Sequence, residues 1–404
     1  MEFSRRTDWD LRATPWAEEL EKRRASGARI IDLTASNPTR CGFRYEPSQV
    51  LSPLVSPTAL LYRPDPRGSL KARQAISRYY AARGCEVDVS RLLMTASTSE
   101  AYSYLFRLLA NPGDEILIAQ PSYPLLDFLA QLDDVRLTPY GLLYDHGWQI
   151  DLEGLRDQLN SRRQTGQGSR IRAIALVHPN NPTGHYTRPA ERAALESICR
   201  EYDLALIVDE VFLDYPFSAP ESSFAAGEHT VPTFVLSGVS KIAALPQMKV
   251  AWIAAFGPDR ERTAALDRLE VIADTFLSTS APVECALPGW LEGGEGLRKQ
   301  IRERTQRNLA ALDGVLAGSA GGDHSPVNRL QVEAGWYVVL RVPAIAGDEQ
   351  IALELLARRG VAVHPGEFFG FSEPGRLVVS LLPSEEEFLE GIRLLIEEIG
   401  RQQR

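Results

Sequence analysis

The chain has 404 residues, too many for one small core, and its size alone allows two or three domains. With 44% hydrophobic and 24% charged residues, its composition is that of an ordinary globular protein. The net charge of −9 argues against a nucleic-acid or anionic-membrane partner, either of which favours a basic face.

Cys41, Cys85, Cys199 and Cys285 lie far apart, with no C-x-x-C pair. They read as reduced thiols of a cytoplasmic protein, not as a disulfide framework or a metal site. The opening MEFSRRTDWDLR has no apolar core of a secretory signal. No run approaches the roughly 18 apolar residues that a membrane span requires.

In chain order, Thr14 and Pro15 predict an N-cap and first turn for a helix through WAEELEKRRASG that stops at Gly27. A short β-like run at 29–33 and the loop TASNPTRCGF come next. Residues 41–69 carry many prolines and glycines without periodicity and predict an irregular surface segment. A helix is expected from Ser69 to about Arg83, ending at Gly84, with Leu70, Ala72, Ile76 and Tyr79 or Tyr80 as its buried stripe.

From Leu92 the pattern becomes one of short apolar runs separated by helical lengths. The runs fall at 92–94, 116–118, 174–177, 205–208, 234–236 and 250–253. Runs without polar alternation suit strands covered on both faces, so a largely parallel sheet flanked by helices is expected. Polar loops are expected near 161–169 and 318–326. The tail, with GWYVVLRV, GVAVHPG and RLVVSLL between helices, predicts a smaller α/β domain.

In open α/β sheets, ligands sit beyond the carboxyl ends of the strands, and here those ends carry chemistry. After 92–94 come Ser97, Thr98 and Ser99, hydroxyl residues that open a helix and suit either a phosphate site or an ordinary N-cap. Tyr123 stands in the rigid turn QPSYP, as a stacking ring or a packing one. HPNNPTG places Asn181 in a tight turn, and His178 beside it is taken as structural. Asp209 ends an apolar run, where a buried carboxylate requires a cationic or proton-bearing partner. Last comes Lys241, in a turn of small residues after 234–236; it is one of only five lysines, with Lys22, Lys71, Lys249 and Lys299. A lysine so placed suits an amine that must be desolvated and reached by a carbonyl compound.

Together these parts describe a pyridoxal 5'-phosphate site, and the ordered set resembles the class I/II aminotransferases among the fold-type-I enzymes. The resemblance runs from about Asp32 to Leu382 through Tyr62…Gly68, Ser97–Ala101, PSYP, NNPTG, DEV and SxSK. It implies an α/β fold with a mostly parallel seven-stranded sheet in a large cofactor-binding domain at 46–290. Residues 1–45 would form an arm and part of a small domain, completed by 291–404.

By the same resemblance, Lys241 forms the internal aldimine and shuttles a proton, and Asp209 pairs with the pyridinium nitrogen. Ser97, Thr98, Ser99 and Ser240 cup the phosphate, Tyr123 stacks on the ring, and Asn181 donates to the phenolic oxygen. Tyr62 would reach the phosphate of a neighbouring subunit, implying a homodimer with shared sites. Arg376 resembles the arginine that clamps the substrate carboxylate, with Ser36 and Asn181 beside it.

The chain departs from the family pattern at four positions. Phe212 stands where a tyrosine is usual, Lys249 where a phosphate-binding arginine is usual, Gly238 where many relatives have serine and Ser36 where many have glycine. The implied activity is ping-pong transamination between an L-amino acid and a 2-oxo acid. A β-lyase or an eliminating enzyme resembling ACC synthase on the same scaffold is the alternative, and a non-catalytic PLP-binding regulator the remote one. The segment at 274–280 has no arginine for a second carboxylate, which favours a neutral or aromatic donor. Phe276, Trp336 and Tyr337 are read first as core or interface residues and second as lining of a side-chain pocket.

Overall fold

A computed structural model describes residues 1–165, 170–318 and 325–402. Parts of the loops expected near 161–169 and 318–326 therefore lie outside the described residues.

Among the described residues the strands are, in chain order, β1 (Ile31–Asp32), β2 (Leu92–Thr95), β3 (Glu115–Gln120), β4 (Arg136–Tyr144), β5 (Trp148–Ile150), β6 (Ile171–Val177), β7 (Ala205–Asp209), β8 (Thr233–Gly238), β9 (Ala251–Phe256), β10 (Asn328–Arg329), β11 (Tyr337–Arg341), β12 (Val361–Ala362), β13 (His364–Pro365) and β14 (Arg376–Ser380).

The large sheet has the order β2-β9-β8-β7-β6-β3-β4-β5. Its centre, from β8 to β4, is parallel, as unbroken apolar runs predict. β9 runs antiparallel to both its neighbours, which sequence periodicity does not reveal. The seven expected strands become eight because a hairpin adds the three-residue β5 to the edge of β4. β4 carries Pro139, which is tolerated because β5 pairs only with residues 142–144. Side chains of the central strands alternate between two cores: Leu206 and Val208 enter one, Ala205 and Ile207 the other.

The expected helices form with their caps. The Thr14 hydroxyl accepts from the amide of Ala17 ahead of the helix Pro15–Ala25, and Gly27 takes a positive φ. Ser69 caps Leu70–Ala81, which buries Ala72, Ala75, Ile76, Tyr79 and Tyr80. Leu70 is exposed, a correction to the expected stripe, because it sits at the first helical position before the buried face begins. Residues 41–69 are less irregular than expected, containing the helix Pro47–Leu51 and 3-10 turns at Ser52–Leu54 and Pro57–Leu60.

The two ends of the chain meet in a further core. β1 pairs in parallel with β12, and Trp16, Leu20, Ile31 and Leu33 pack with Leu355, Phe388 and Leu395. The four-stranded sheet β10-β11-β14-β13 is antiparallel. A fourth cluster, including Phe212, Tyr215, Trp336, Tyr337, Phe369 and Val378, packs residues of this unit against the carboxyl end of β7. No helix among the described residues is long and apolar enough to cross a membrane.

Candidate active site

β2, β6, β7 and β8 all point their carboxyl ends the same way, and a cavity of about 460 Å³ opens there. Of the thirteen residues singled out from sequence, eleven line it: Ser36, Ser97, Thr98, Ser99, Tyr123, Asn181, Asp209, Phe212, Ser240, Lys241 and Lys249. The topology thus gathers side chains spread over more than two hundred positions.

Asp209 is the last residue of β7, and its buried carboxylate accepts from the amide of Val211 at 3.1 Å. Burial pushes its pKa up to about 6, opposed by that amide, by Lys241 and by Tyr102. Lys241 sits in the single helical turn Val239–Ile242 that succeeds β8. Burial pulls its amine down to about 8, with the Asp209 charge acting the other way. Its Nζ lies 4.7 Å from the ring centroid of Trp336 and 5.5 Å from that of Phe212. An amine and a carboxyl group, both drawn towards neutrality, therefore face one cavity.

The turn that carries Lys241 is held from outside. The Tyr215 hydroxyl donates to the Lys241 carbonyl, Arg298 Nη1 to that of Ile242 at 2.8 Å, and Tyr45 to that of Ala244 at 2.8 Å. Gly238 has a local reason as well. A Cβ there would stand 2.9 Å from the Ala251 Cβ and 3.0 Å from the Val250 carbonyl, so β9 leaves no room for serine without a shift.

On the opposite side Ser97 caps the helix Thr98–Leu109, its hydroxyl accepting from the amide of Glu100 at 3.1 Å. Ser97, Thr98 and Ser99 of that first turn line the cavity, and a helix start rich in hydroxyls suits a phosphate. In the NNPTG turn Asn180 does the structural work: its side chain accepts from Thr183 and its carbonyl from the amide of Gly184. Asn181 is left to line the cavity, with its Oδ1 buried and unpartnered. His178 is fully buried, accepts from the amide of Thr187, and is pushed down to about 3 by burial.

Two of the thirteen lie elsewhere. Tyr62 is exposed and lines a separate hollow with Tyr104, Leu277, Ser278 and Glu284, outside its own chain's cavity. Arg376 stands at the start of β14 and is not among the residues lining the cavity of this chain. Its guanidinium donates to the Gly375 carbonyl at 3.2 Å and to Glu373 at 3.0 Å, and its amide to Asp348. Arg376 opens β14 opposite Arg341, so the strand register sets it away from the end where Tyr337 lines the cavity.

Among the possible pocket residues, Tyr337 lines the cavity and Trp336 is core, while Phe276 is half-exposed beside Tyr104 and Arg107. Sequence reasoning missed Tyr102, the apolar wall of Leu125, Leu126 and Leu129, and the group His364, Phe368 and Phe369. Only QPSYPLLDFL carried a signal for the wall, as an apolar run after the aromatic turn.

No cofactor is present, but the residues fit pyridoxal phosphate. A buried amine opposite a buried carboxyl, hydroxyls at a helix start, a ring at the mouth and an unpartnered buried amide are the groups that an aldehyde, a pyridine nitrogen and a phosphate require.

Comparison with known proteins agrees in breadth. The family model described as aminotransferase class I and II matches residues 55–392. The chain is similar to glutamate-pyruvate aminotransferase AlaA of Escherichia coli K12, at 25% identity over 94% of this chain and 92% of the relative. It is similar to the alanine aminotransferase of Mycobacterium tuberculosis, at 26% identity over 94% and 88%. Among solved structures it superposes on an alanine aminotransferase from Pyrococcus furiosus with a TM-score of 0.85, at 21% identity over 99% and 100% of the two chains.

Proposed function

The chain belongs to the class I and II aminotransferases, and we propose that it transfers the amino group of an L-amino acid to a 2-oxo acid by a ping-pong cycle on pyridoxal 5'-phosphate. The observation that carries this reading is the desolvated Lys241 amine facing Asp209 in the cavity at the strand ends. When bound, the cofactor supplies an electron sink for the substrate carbon that loses its proton.

Lys241 provides the amine that holds the aldehyde and then carries the proton between the substrate carbon and the cofactor; its lowered pKa keeps a useful fraction neutral near pH 7. Asp209 would pair with the pyridine nitrogen and favour its protonated form. Ser97, Thr98, Ser99 and Ser240 would hold the phosphate with Lys249, and Tyr123 would stack on the ring. Asn181 would orient the phenolic oxygen, and Ser36 would contact the substrate. The apolar wall of Leu125, Leu126, Leu129, Phe368 and Phe369 supports a neutral or aromatic donor.

The same reading makes the protein a cytoplasmic homodimer in which Tyr62, exposed on its own chain, completes the partner's phosphate site. It divides the chain into the arm 1–45, a cofactor-binding domain at 46–290 and a small domain at 291–404. The core shared by Trp16, Leu20 and Leu395 supports grouping the two termini.

Reduction of the PLP-loaded protein with borohydride, and then peptide mapping, tests the cofactor assignment. The label is expected on Lys241, and a label on any other lysine overturns it. Adding pooled L-amino acids without an oxo acid is expected to release pyridoxamine phosphate on denaturation. Pyruvate and ammonia from a β-substituted amino acid, with no pyridoxamine phosphate, would replace transamination with β-elimination.

A further inference from the structure

An amine that takes a proton and returns it spends part of the cycle as an ammonium ion, and a desolvated ammonium needs a partner. In the transfer proposed above, an N–H bond forms at Lys241 Nζ when the substrate carbon loses its proton. The same bond breaks when that proton passes on, so charge balances over the cycle. Among the described residues, the titratable side chains that share the cavity with this amine are Asp209, Lys249, Tyr102, Tyr123, Tyr337 and His364. Burial raises the three tyrosines and lowers His364, which leaves all four neutral near pH 8. Lys249 is a like charge. Asp209 is the one anion of the set, and under the same reading it is engaged by the pyridine nitrogen.

Rings stand behind the amine instead. Nζ lies 4.7 Å from the Trp336 centroid and 5.5 Å from that of Phe212, both within the roughly 6 Å over which a ring face attracts a cation. Both side chains are buried, where that attraction is strongest. The two rings meet edge to face at 5.4 Å, and Tyr215 packs against Trp336 at 5.0 Å. Trp336 Nε1 has no hydrogen-bond partner, so packing and backbone orient the indole. The Gly335 amide donates to the Tyr215 carbonyl at 2.9 Å, and the Trp336 carbonyl accepts from the Leu381 amide at 2.8 Å. The Tyr215 hydroxyl in turn holds the Lys241 carbonyl, which ties ring and amine to one loop beyond β7. Phe212, a departure from the family pattern, puts a bare ring where a hydroxyl is usual.

We infer that the Trp336 indole, with the Phe212 ring, is the face on which Lys241 holds its proton between taking it from the substrate carbon and giving it up, making Trp336 a catalytic residue of the transfer. This inference rests on the transaminase reading and on Lys241 as the proton carrier. It gives a residue read as core packing a second task, the stabilisation of a transient cation.

The first test uses cofactor-free protein and graded acetylation across pH, with the Lys241 midpoint read by peptide mass spectrometry. Trp336→Met is expected to lower that midpoint by about one pH unit, a tenfold fall in the ammonium-to-amine ratio. Trp336→Phe should lower it by about half as much, because the face of a benzene ring attracts a cation less than that of an indole. Phe212→Leu should also lower it, by less than Trp336→Met, since its ring is further away. A wall that only excludes water has the opposite sign: truncating it admits water, and the midpoint climbs towards the ordinary 10.5. A midpoint that holds or rises in Trp336→Met overturns the inference. Should that variant not fold, a midpoint at or above wild type in both Trp336→Phe and Phe212→Leu overturns it equally.

In PLP-loaded protein with the most active donor of the pooled assay, Trp336→Phe is expected to lower kcat about threefold with KM within about twofold. A raised KM with kcat unchanged would make Trp336 a substrate-pocket residue and overturn the catalytic role. Borohydride labelling of each variant separates these outcomes from failure of the transaminase reading, because a label away from Lys241 removes that reading while the acetylation midpoints still decide what the rings do to the amine.

Discussion

Replacing Asp209 with asparagine should make the neighbouring amine a weaker base. In the cofactor-free protein Lys241 is held near 8 by burial, and the Asp209 carboxylate is the charge that resists this fall. Asp209 itself titrates near 6, so it is ionised where the amine titrates. An opposite charge at close range moves a pKa by about 1 to 3, and the lower end applies to a carboxylate that is also held by an amide. Asp209→Asn, which keeps the shape and removes the charge, is therefore expected to lower the Lys241 pKa by about 1, or about 1.4 kcal/mol.

Graded acetylation across pH, read by peptide mass spectrometry, tracks each amine separately, because the chain has only five lysines. The Lys241 midpoint should move downward in the variant while those of the other four stay in place. A midpoint that stays or rises in Asp209→Asn refutes the coupling, and a wild-type midpoint near the ordinary 10.5 refutes the burial argument.

The same lowered pKa links stability to pH. Because the folded state releases the Lys241 proton first, the unfolded chain binds more protons between about 8 and 10.5, and this contribution to stability rises with pH across that window. Cofactor-free Lys241→Met should thus exceed wild type by roughly 3 kcal/mol at pH 7, with the difference fading by about pH 10.5; urea titrations showing a constant difference would refute it. Gly184→Ala is expected to cost about 2–3 kcal/mol, because φ there is +69° and a Cβ would collide with the Ala334 carbonyl and the Val332 side chain; a thermal midpoint within about a degree of wild type would count against this packing. Phe212→Tyr places a hydroxyl in the cavity and should lower the acid–base midpoint of the visible cofactor band, whereas an unchanged or higher midpoint speaks against a missing donor. Lys249→Arg should slow cofactor loss on dialysis, since a fork replaces a point charge; equal loss would remove Lys249 from the phosphate site.

Much of this protein is legible in one dimension. Unbroken apolar runs mark strands buried on both faces, and the residues just beyond each run are the ones the sheet delivers to a single edge. Ser97, Asn181, Asp209 and Lys241 could be found because each sits at or just after the end of a strand, so local order along the chain already places it at the site. Their residue types then state the groups the cavity offers, an amine, a carboxyl, an amide and a hydroxyl at a helix start.

The features that the sequence left undecided depend on register between segments far apart. β9 reverses direction, and β5 joins as an eighth strand, through pairings that no local periodicity encodes. Arg376 has the residue type for a carboxylate clamp, and its placement depends on the register of β14 against β11. His364 gave no signal, because its position against the cavity depends on β1 meeting β12 and β13 meeting β14. Short-range order fixes the residues at a strand's end, whereas the facing wall of a cavity is fixed by long-range packing, which is a property of the folded chain.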